Sequence, residues 1–181
     1  LTEGKPSLVS IEPVQGGSVE EVLRIAGALQ KTSEHPLAHA VLEKVRELKI
    51  VVAKVSDAKA LPGRGIQAWV DGQLMLLGST RLMQEHGVNP GQLGIRAAEL
   101  ESEGKTISWL LRQRDTSSEL VGLLAFGDTI KPSSYLAISR LRQLGIKTIM
   151  LTGDNQGSAQ VVAKELGIDE VRAELLPGDK A

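Results

Sequence analysis

The sequence predicts an α+β fold: an antiparallel sheet flanked by helices, followed by part of an α/β unit. Two observations support this fold class. Strand-like runs dominate the first part of the chain, and Asp71-Gly72 between two of them is a strong hairpin signal. From Asp128 onward, helical patterns alternate with short apolar runs, which is typical of βαβ units and a parallel sheet. We therefore place a boundary near residue 125.

The first part is expected to begin with a strand and two helices. Residues 5–14, KPSLVSIEPV, have the composition of a strand. Ser18 and Glu21 occupy capping-box positions before apolar residues at helical spacing, which predicts a helix over 19–31. The same rhythm predicts a second helix over 36–48, after a tight turn.

The rest of the sheet is predicted from strand composition and turn signals. The expected elements are strands at 50–56, 65–70 and 73–78, helices at 79–85 and 92–103, and strands at 105–112 and 119–126. Trp69 and Trp109 both fall in strand patterns, which predicts that both belong to the core. In the second part, the expected elements are a helix at 132–144, an apolar run at 146–151, a helix at 158–166 and a last apolar run at 171–176.

Composition excludes several classes of function. The 21 Lys and Arg residues balance 22 Asp and Glu, so no net charge favours nucleic acid or an anionic membrane. The chain has no cysteine, which excludes disulfides, thiolate metal centres and a cysteine nucleophile. No apolar stretch approaches the roughly 20 residues of a membrane-spanning helix. The abrupt start, LTEGKP, and end, GDKA, lead us to expect a soluble piece of a longer protein.

The stretch SEHPLAHA raises the question of a metal site, because His35 and His39 are four residues apart. Pro36 argues against one. The residue before a proline is pushed out of the helical region, and proline favours the first helical position. We therefore expect His35 at the helix cap and His39 inside the helix, so that they do not share a face. His35 is then a turn residue or presents its ring to a ligand, and Glu34 is a turn residue without assigned chemistry.

The segment from Gly63 to Ala68, GRGIQA, fits the dinucleotide-binding pattern G-x-G-x-x-G/A, but its context does not. That pattern requires a helix after the glycines, whereas the residues after Gly65 alternate as a strand. A glycine turn between two strands is the simpler interpretation. A turn whose bare backbone lets a phosphate or sugar approach is a third one.

Six motifs together carry a resemblance to a known family. LTEGKP, SEHPLA, PGRG, FGDTIKP, MLTGDN and LLPGDK occur in the order and spacing found in heavy-metal-transporting P-type ATPases, most often copper transporters. The resemblance covers the whole chain. It implies a stub at residues 1–5, a nucleotide-binding domain at 6–124, and part of a haloacid dehalogenase-like phosphorylation domain at 125–181.

The resemblance also implies what this chain lacks. In the family, LTEGKP directly follows the motif DKTGT, whose aspartate accepts the γ-phosphate of ATP, and a downstream GDGxND motif helps hold Mg²⁺. Neither motif is in this chain. We therefore expect it to bind ATP without forming the phosphoenzyme, and we expect the main Mg²⁺ ligands to lie outside it.

Family roles can be carried over to matching residues. The resemblance implies contacts to the transferring phosphoryl group from Thr152, Gly153, Asp154 and Lys180. It implies a nucleotide site that comprises Gln30, Glu34, His35, Gly63, Gly65, Ile66, Ser79, Asp128 and Asn155.

Physical chemistry agrees with these implied roles. The ring of His35 offers a stacking surface to adenine, worth about 1 to 3 kcal/mol for a base on an aromatic side chain. Gly63 and Gly65 let backbone approach the nucleotide, and Ile66 provides an apolar wall. Thr152 follows an apolar strand, where α/β proteins place ligands, and Lys180 supplies positive charge to an anionic transition state.

Two residues depart from the family pattern. Gln30 replaces the usual glutamate that accepts a hydrogen bond from the adenine amino group, so the contact loses its charge assistance. The consequence is a hypothesis of weaker or less selective adenine binding. Ser79 replaces the usual asparagine and has a shorter reach.

The family interpretation implies a cytoplasmic domain of an integral membrane protein, expected to be monomeric as a fragment. Its partners are ATP and, in the full-length protein, the transmembrane metal-transport domain and the actuator domain, with no nucleic acid. Two alternatives remain. One is a haloacid dehalogenase-type phosphatase with a cap domain, which needs a nucleophilic aspartate on an early strand. The other is a non-catalytic nucleotide-binding module.

Overall fold

The protein contains a six-stranded antiparallel sheet and a separate two-stranded sheet, in a computed structural model that describes residues 1–152 and 156–173. The strands are β1 (Thr2–Pro13), β2 (Val55–Leu61), β3 (Gly65–Val70), β4 (Gln73–Gly78), β5 (Thr106–Gln113), β6 (Ser118–Ile130), β7 (Ile149–Leu151) and β8 (Glu170–Arg172). The helices are α1 (Val19–Gln30), α2 (Pro36–Glu47), α3 (Thr80–Glu85), α4 (Gln92–Ser102), α5 (Pro132–Gln143) and α6 (Gln156–Leu166). The predicted α+β fold class is confirmed.

The described chain divides into two compact units. The larger unit comprises Pro6–Ala98 and Thr106–Gly127, and the smaller one comprises Leu1–Lys5, Glu99–Lys105 and the chain from Asp128 onward. The assignment of residues 6–124 to a nucleotide-binding domain and of 125–181 to a phosphorylation domain is a functional one and stays a prediction.

In the larger unit, the order of strands in the sheet is β1-β6-β5-β4-β3-β2. Helices α1 and α2 pack on one face, where a buried cluster includes Leu23, Val41, Ala68, Leu77 and Leu124. The side chains of successive strand residues point to opposite faces of the sheet. Trp109 is not part of this cluster and lies on the face opposite α1 and α2. Helix α3 lies there, since Nε1 of Trp109 donates a hydrogen bond to Oγ1 of Thr80 at 3.0 Å.

The start of α1 is capped as predicted, but only by half of the capping box. The Ser18 hydroxyl accepts a hydrogen bond from the backbone N–H of Glu21 at 3.1 Å. The Glu21 carboxylate does not reach back to Ser18. It accepts a hydrogen bond from the Arg112 guanidinium on β5 at 3.2 Å, because a charged partner across the sheet forms the stronger bond.

The second predicted strand is misplaced. Residues 50–54 form no strand, and β2 begins only at Val55. Ile50 and Val52 pack against the main core from a loop, so their apolar character reflects burial and not strand pairing. Within β2, the pairing with β3 shifts register between Ser56 and Lys59, and Asp57 adopts a left-handed φ of 51°.

Trp69 also departs from the prediction. It is 45% exposed, whereas Trp109 is 2% exposed. Trp69 pairs with Leu74 at the hairpin end of β4, whereas α3 begins at the opposite end, after Gly78. The helix therefore covers Trp109, which pairs with Gly78, and leaves Trp69 half in solvent.

In the smaller unit, β7 and β8 pair in parallel, as the alternating pattern predicted. One small cluster consists of Ile130, Ile138 and Leu166. Another consists of Met150, Ala159 and Ala163. β6 extends to Ile130, so Asp128 lies within a strand.

Candidate functional site

The larger unit contains a cavity of about 770 Å³. Its walls come from the segment that joins α1 to α2, the edge strand β2, the turn between β2 and β3, and the ends of β4 and β5. Its lining includes the predicted residues Gln30, Glu34, His35, Gly63, Gly65, Ile66 and Ser79. Residues far apart in the sequence thus meet at one place.

His35 and Pro36 form the start of α2. His35 is the N-cap in extended conformation, and its Nδ1 accepts a hydrogen bond from the backbone N–H of Leu37 at 3.2 Å. In the neutral ring, the proton is therefore on Nε2. His39 lies inside the helix and is exposed, so the predicted positions of the two histidines, one at the cap and one in the helix, are confirmed. The side chain of His35, which caps α2, is exposed, so its ring is accessible at the cavity.

The two glycines of the turn before β3 serve different purposes. Gly63 has a φ of +69°, and a Cβ there would meet nothing within 4 Å. At Gly65, a Cβ would lie 2.1 Å from the carbonyl oxygen of Leu77, because Gly65 pairs with Gly78 in the sheet. Gly65 is thus required by close strand packing, whereas Gly63 leaves bare backbone at the cavity. A strand follows this turn, so the dinucleotide-binding pattern is a coincidence of spacing.

Ser79 closes the opposite side of this turn. Its backbone N–H donates to the carbonyl oxygen of Arg64 at 2.8 Å. Ser79 is also the N-cap of α3, yet its side chain makes no capping hydrogen bond, and its buried Oγ has no partner. A buried hydroxyl without a partner is unfavourable, and Ser79 is one of the residues that line the cavity.

Gln30 and Ile66 line the cavity from regular elements. Gln30 is the last residue of α1 and is half-buried. Ile66 packs against the main core of the larger unit while it lines the cavity, so the apolar wall is part of a rigid sheet.

Charge at the cavity comes from Glu34 and Arg64. Arg64 forms an ion pair with Glu85 on α3, with Nε 2.6 Å from the carboxylate. Arg81 pairs with the other oxygen of Glu85 at 2.9 Å. The hydrogen bond from Arg81, followed by that from Arg64, lowers the pKa of the Glu85 carboxyl, which is therefore ionised at neutral pH.

The other described site residues, Asp128 and Thr152, belong to the smaller unit. Asp128 belongs to the smaller unit, where its Oδ2 accepts a hydrogen bond from the Thr2 hydroxyl at 3.4 Å. Thr152 follows β7, and its backbone N–H donates to the carbonyl oxygen of Arg172 at 3.0 Å. Four further predicted residues lie outside the described ranges, namely Gly153, Asp154, Asn155 and Lys180.

Sequence reasoning missed several residues that line the cavity. They include Thr32, Ser33, Ala58, Ala60, Thr106 and Ser108. Ser33 belongs to the SEHPLA motif and was available as a candidate. Thr106 and Ser108 were not, because only the pairing of β4 with β5 brings the start of β5 to this end of the sheet.

The described residues contain neither a metal-binding cluster nor a membrane-spanning helix. Among residues 1–152 and 156–173, no group of three or more His, Cys, Asp or Glu side chains is placed to hold a metal ion. Within the same residues, every helix is too short or too polar to cross a membrane.

Comparisons place the chain among known proteins. A family model described as a haloacid dehalogenase-like hydrolase matches residues 1–181. The copper-transporting P-type ATPase of Rhizobium leguminosarum bv. viciae is 38% identical over 99% of this chain and 21% of its own length. The silver exporting P-type ATPase of Salmonella typhimurium is also 38% identical, over 99% of this chain and 21% of its length.

A solved structure of a P-type ATPase also matches this chain. A crystal structure of a zinc-transporting PIB-type ATPase matches with a TM-score of 0.88 and 34% identity, over 99% of this chain and 28% of that one. The resemblance inferred from the motifs is thereby confirmed. The chain spans about a fifth of the length of the curated relatives described above.

Proposed function

The chain belongs to the haloacid dehalogenase-like hydrolase family, and we propose that it is the ATP-binding portion of a heavy-metal-translocating P-type ATPase. One observation carries the proposal. Every nucleotide-site residue predicted in the larger unit lines a single cavity, although the sequence separates Gln30 from Ser79 by the whole of α2, β2, β3 and β4. Its volume of about 770 Å³ is within the usual range for ligand pockets.

The cavity suits an adenine nucleotide. The exposed ring of His35 stacks on the base, and the side chain of Ile66 forms the apolar wall. The carbonyl oxygen of Gln30 accepts a hydrogen bond from the adenine amino group. Ser79 supplies the hydroxyl that has no partner in the protein, and Gly63 supplies bare backbone at the mouth.

In the whole protein, this portion presents the γ-phosphate of ATP to a catalytic aspartate outside this chain. Asp128 and Asn155 complete the nucleotide contacts, and Thr152, Gly153, Asp154 and Lys180 contact the transferring phosphoryl group. Mg²⁺ bound with ATP would neutralise phosphate charge, and residues outside this chain would supply its remaining ligands. The partners are the transmembrane metal-transport domain and the actuator domain, with this portion on the cytoplasmic side.

We propose copper as the transported ion. The relatives are described as transporting copper, silver or zinc, and copper is the metal named for most of them. The ligands that select the ion are expected in the membrane part of the protein.

An NMR titration with ATP tests nucleotide binding. We expect saturable amide shifts at Gly63, Gly65 and the start of α2. The informative variant is His35→Asn, because asparagine retains a capping acceptor for the Leu37 N–H and removes the ring. It should weaken ATP binding at least about fivefold, since stacking is worth about 1 to 3 kcal/mol.

Controls separate this proposal from its alternatives. His39→Ala should bind ATP like the wild type, because His39 lies away from the cavity lining. Absence of saturable shifts with ATP would reject the nucleotide site. Shifts at both histidines with zinc or copper alone would instead indicate a metal site. Turnover of p-nitrophenyl phosphate by the chain would favour a phosphatase.

A further inference from the structure

Arg64 differs in charge from the other residues that line the cavity. Among the lining residues that the structure describes, it is the only lysine or arginine. It sits between Gly63 and Gly65, the two glycines of the turn. A ligand that carries several negative charges therefore meets one fixed cationic side chain there.

The backbone of Arg64 is fixed on both sides. Its N–H donates to the carbonyl oxygen of Leu61 at 2.9 Å, and its carbonyl oxygen accepts from the N–H of Ser79 at 2.8 Å. The N–H is already used and a carbonyl oxygen cannot donate, so neither main-chain group offers a hydrogen-bond donor to a phosphate oxygen. Recognition by this residue must therefore come from its side chain.

The side chain is held but keeps binding capacity. Its ion pair with Glu85 runs through Nε, and the guanidinium has two further amino groups for another acceptor. Glu85 also pairs with Arg81, so one carboxylate serves two guanidinium groups. The three residues together carry a net positive charge of one, arising from two arginines and one glutamate.

We propose that Arg64 contacts the phosphate chain of the bound nucleotide and sets the preference of the cavity for ATP over adenosine. The inference rests on the proposed function and deepens it. His35, Ile66 and Gln30 recognise the base, and none of these three side chains offers the phosphates a permanent positive charge. A guanidinium already oriented by Glu85 loses little freedom on binding, which favours its use for this contact.

The experiment compares two ligands on three proteins. The wild type, Arg64→Gln and Arg81→Gln are titrated with ATP and with adenosine at low salt, by calorimetry or NMR. Arg64→Gln should weaken ATP binding about tenfold and leave adenosine binding unchanged, because a charged hydrogen bond to phosphate is lost. Arg81→Gln also removes one positive charge that pairs with Glu85, but Arg81 is not among the residues that line the cavity. This variant should change ATP affinity less than about twofold.

A salt series separates a direct phosphate contact from a purely structural role. ATP affinity of the wild type should fall more steeply with salt than that of Arg64→Gln, since the variant lacks the screened interaction. Equal ATP affinity of Arg64→Gln and wild type would overturn the inference while the nucleotide site stands. Parallel losses of ATP and adenosine binding would also overturn it, as they indicate a distorted turn. A wild type that binds neither ligand would overturn the proposed function as well.

Discussion

The imidazole of His35 accepts a hydrogen bond at Nδ1 from the backbone N–H of Leu37, 3.2 Å away, and the same ring lines the cavity. One side chain thus caps α2 and forms part of the candidate nucleotide site. Substitutions at this position therefore change stability and binding by separate routes.

Replacement of the cap separates these two effects. His35→Ala should lower the free energy of unfolding by about 1 kcal/mol, because the N–H of Leu37 loses its acceptor. His35→Asn should lower the free energy of unfolding by no more than a few tenths of a kcal/mol, since asparagine is a good N-cap. Urea denaturation of both variants measures the difference. Equal losses of unfolding free energy in the two variants would show that the capping hydrogen bond does not contribute to stability.

The paired glycines Gly65 and Gly78 should tolerate no side chain. Gly65→Ala places a Cβ 2.1 Å from the Leu77 carbonyl oxygen, so we expect a loss of about 3 kcal/mol or more in unfolding free energy. Gly63→Asn is the matched control. It keeps a left-handed backbone that asparagine accepts, and its Cβ has open space, so it should cost less than about 1 kcal/mol. Similar denaturation midpoints for the two variants would contradict this account.

Gln30→Glu should strengthen ATP binding about fivefold, because a carboxylate accepts a stronger hydrogen bond from the adenine amino group. Gln30 is the last residue of α1, where a negative charge opposes the helix dipole, so the gain should come with slightly lower stability. Gln143→Glu makes the same change at the last residue of α5, outside the cavity, and should leave ATP affinity unaltered. Titration of ATP against all three proteins measures this, and equal affinities of Gln30→Glu and wild type would refute it.

Asp71 should make stability depend on pH in the acidic range. Its hydrogen bond with Arg24, at 2.6 Å, is the main cause of a lowered pKa of the Asp71 carboxyl. A lowered folded-state pKa adds stability above the unfolded value of about 4, and that stability is lost as the pH falls through the folded value.

Asp71→Asn tests this dependence while retaining a residue that accepts the left-handed φ of 49° in the hairpin. The variant should be less stable than the wild type at pH 7, and the difference should shrink toward pH 3, as followed by urea midpoints. Asp115→Asn, at an exposed aspartate, is the control. A difference between Asp71→Asn and wild type that persists unchanged at pH 3 would mean that the ion pair is not its cause.

The two tryptophans should respond very differently to substitution. Trp109→Phe removes a hydrogen bond to Thr80 and leaves space in the core, so we expect a loss of about 2 kcal/mol. Trp69→Phe, at a residue that is 45% exposed, should change stability by less than about 0.5 kcal/mol. Thermal unfolding of both variants provides the comparison. The reverse order of stability would refute the burial argument.

The sequence was sufficient where the chemistry is local. Ser18 caps α1, and Pro36 places His35 at the cap of α2, because each effect involves neighbours within one turn of helix. The Asp71-Gly72 hairpin was also predictable, since the two residues adopt the left-handed backbone that the turn demands. The motifs identified the family for a related reason, as each is a short contiguous string.

Sequence patterns failed where packing decides. The predicted strand at residues 50–54 is wrong because composition does not distinguish a buried loop from a paired strand. The predicted burial of Trp69 is wrong because the strand pattern does not show how far α3 extends along the sheet. Both errors concern which surface covers a residue.

By itself, then, the sequence determined the caps, the hairpin, the family and the identity of the residues expected at the nucleotide. Tertiary structure decided that Gln30, His35, Gly63 and Ser79 line one cavity, and that Gly65 faces the backbone of Leu77. It also brought Arg64, in the turn between β2 and β3, into an ion pair with Glu85 on α3. The physical reason is that strand register and helix packing set distances between residues remote in the chain, whereas sequence patterns encode only the neighbours along it.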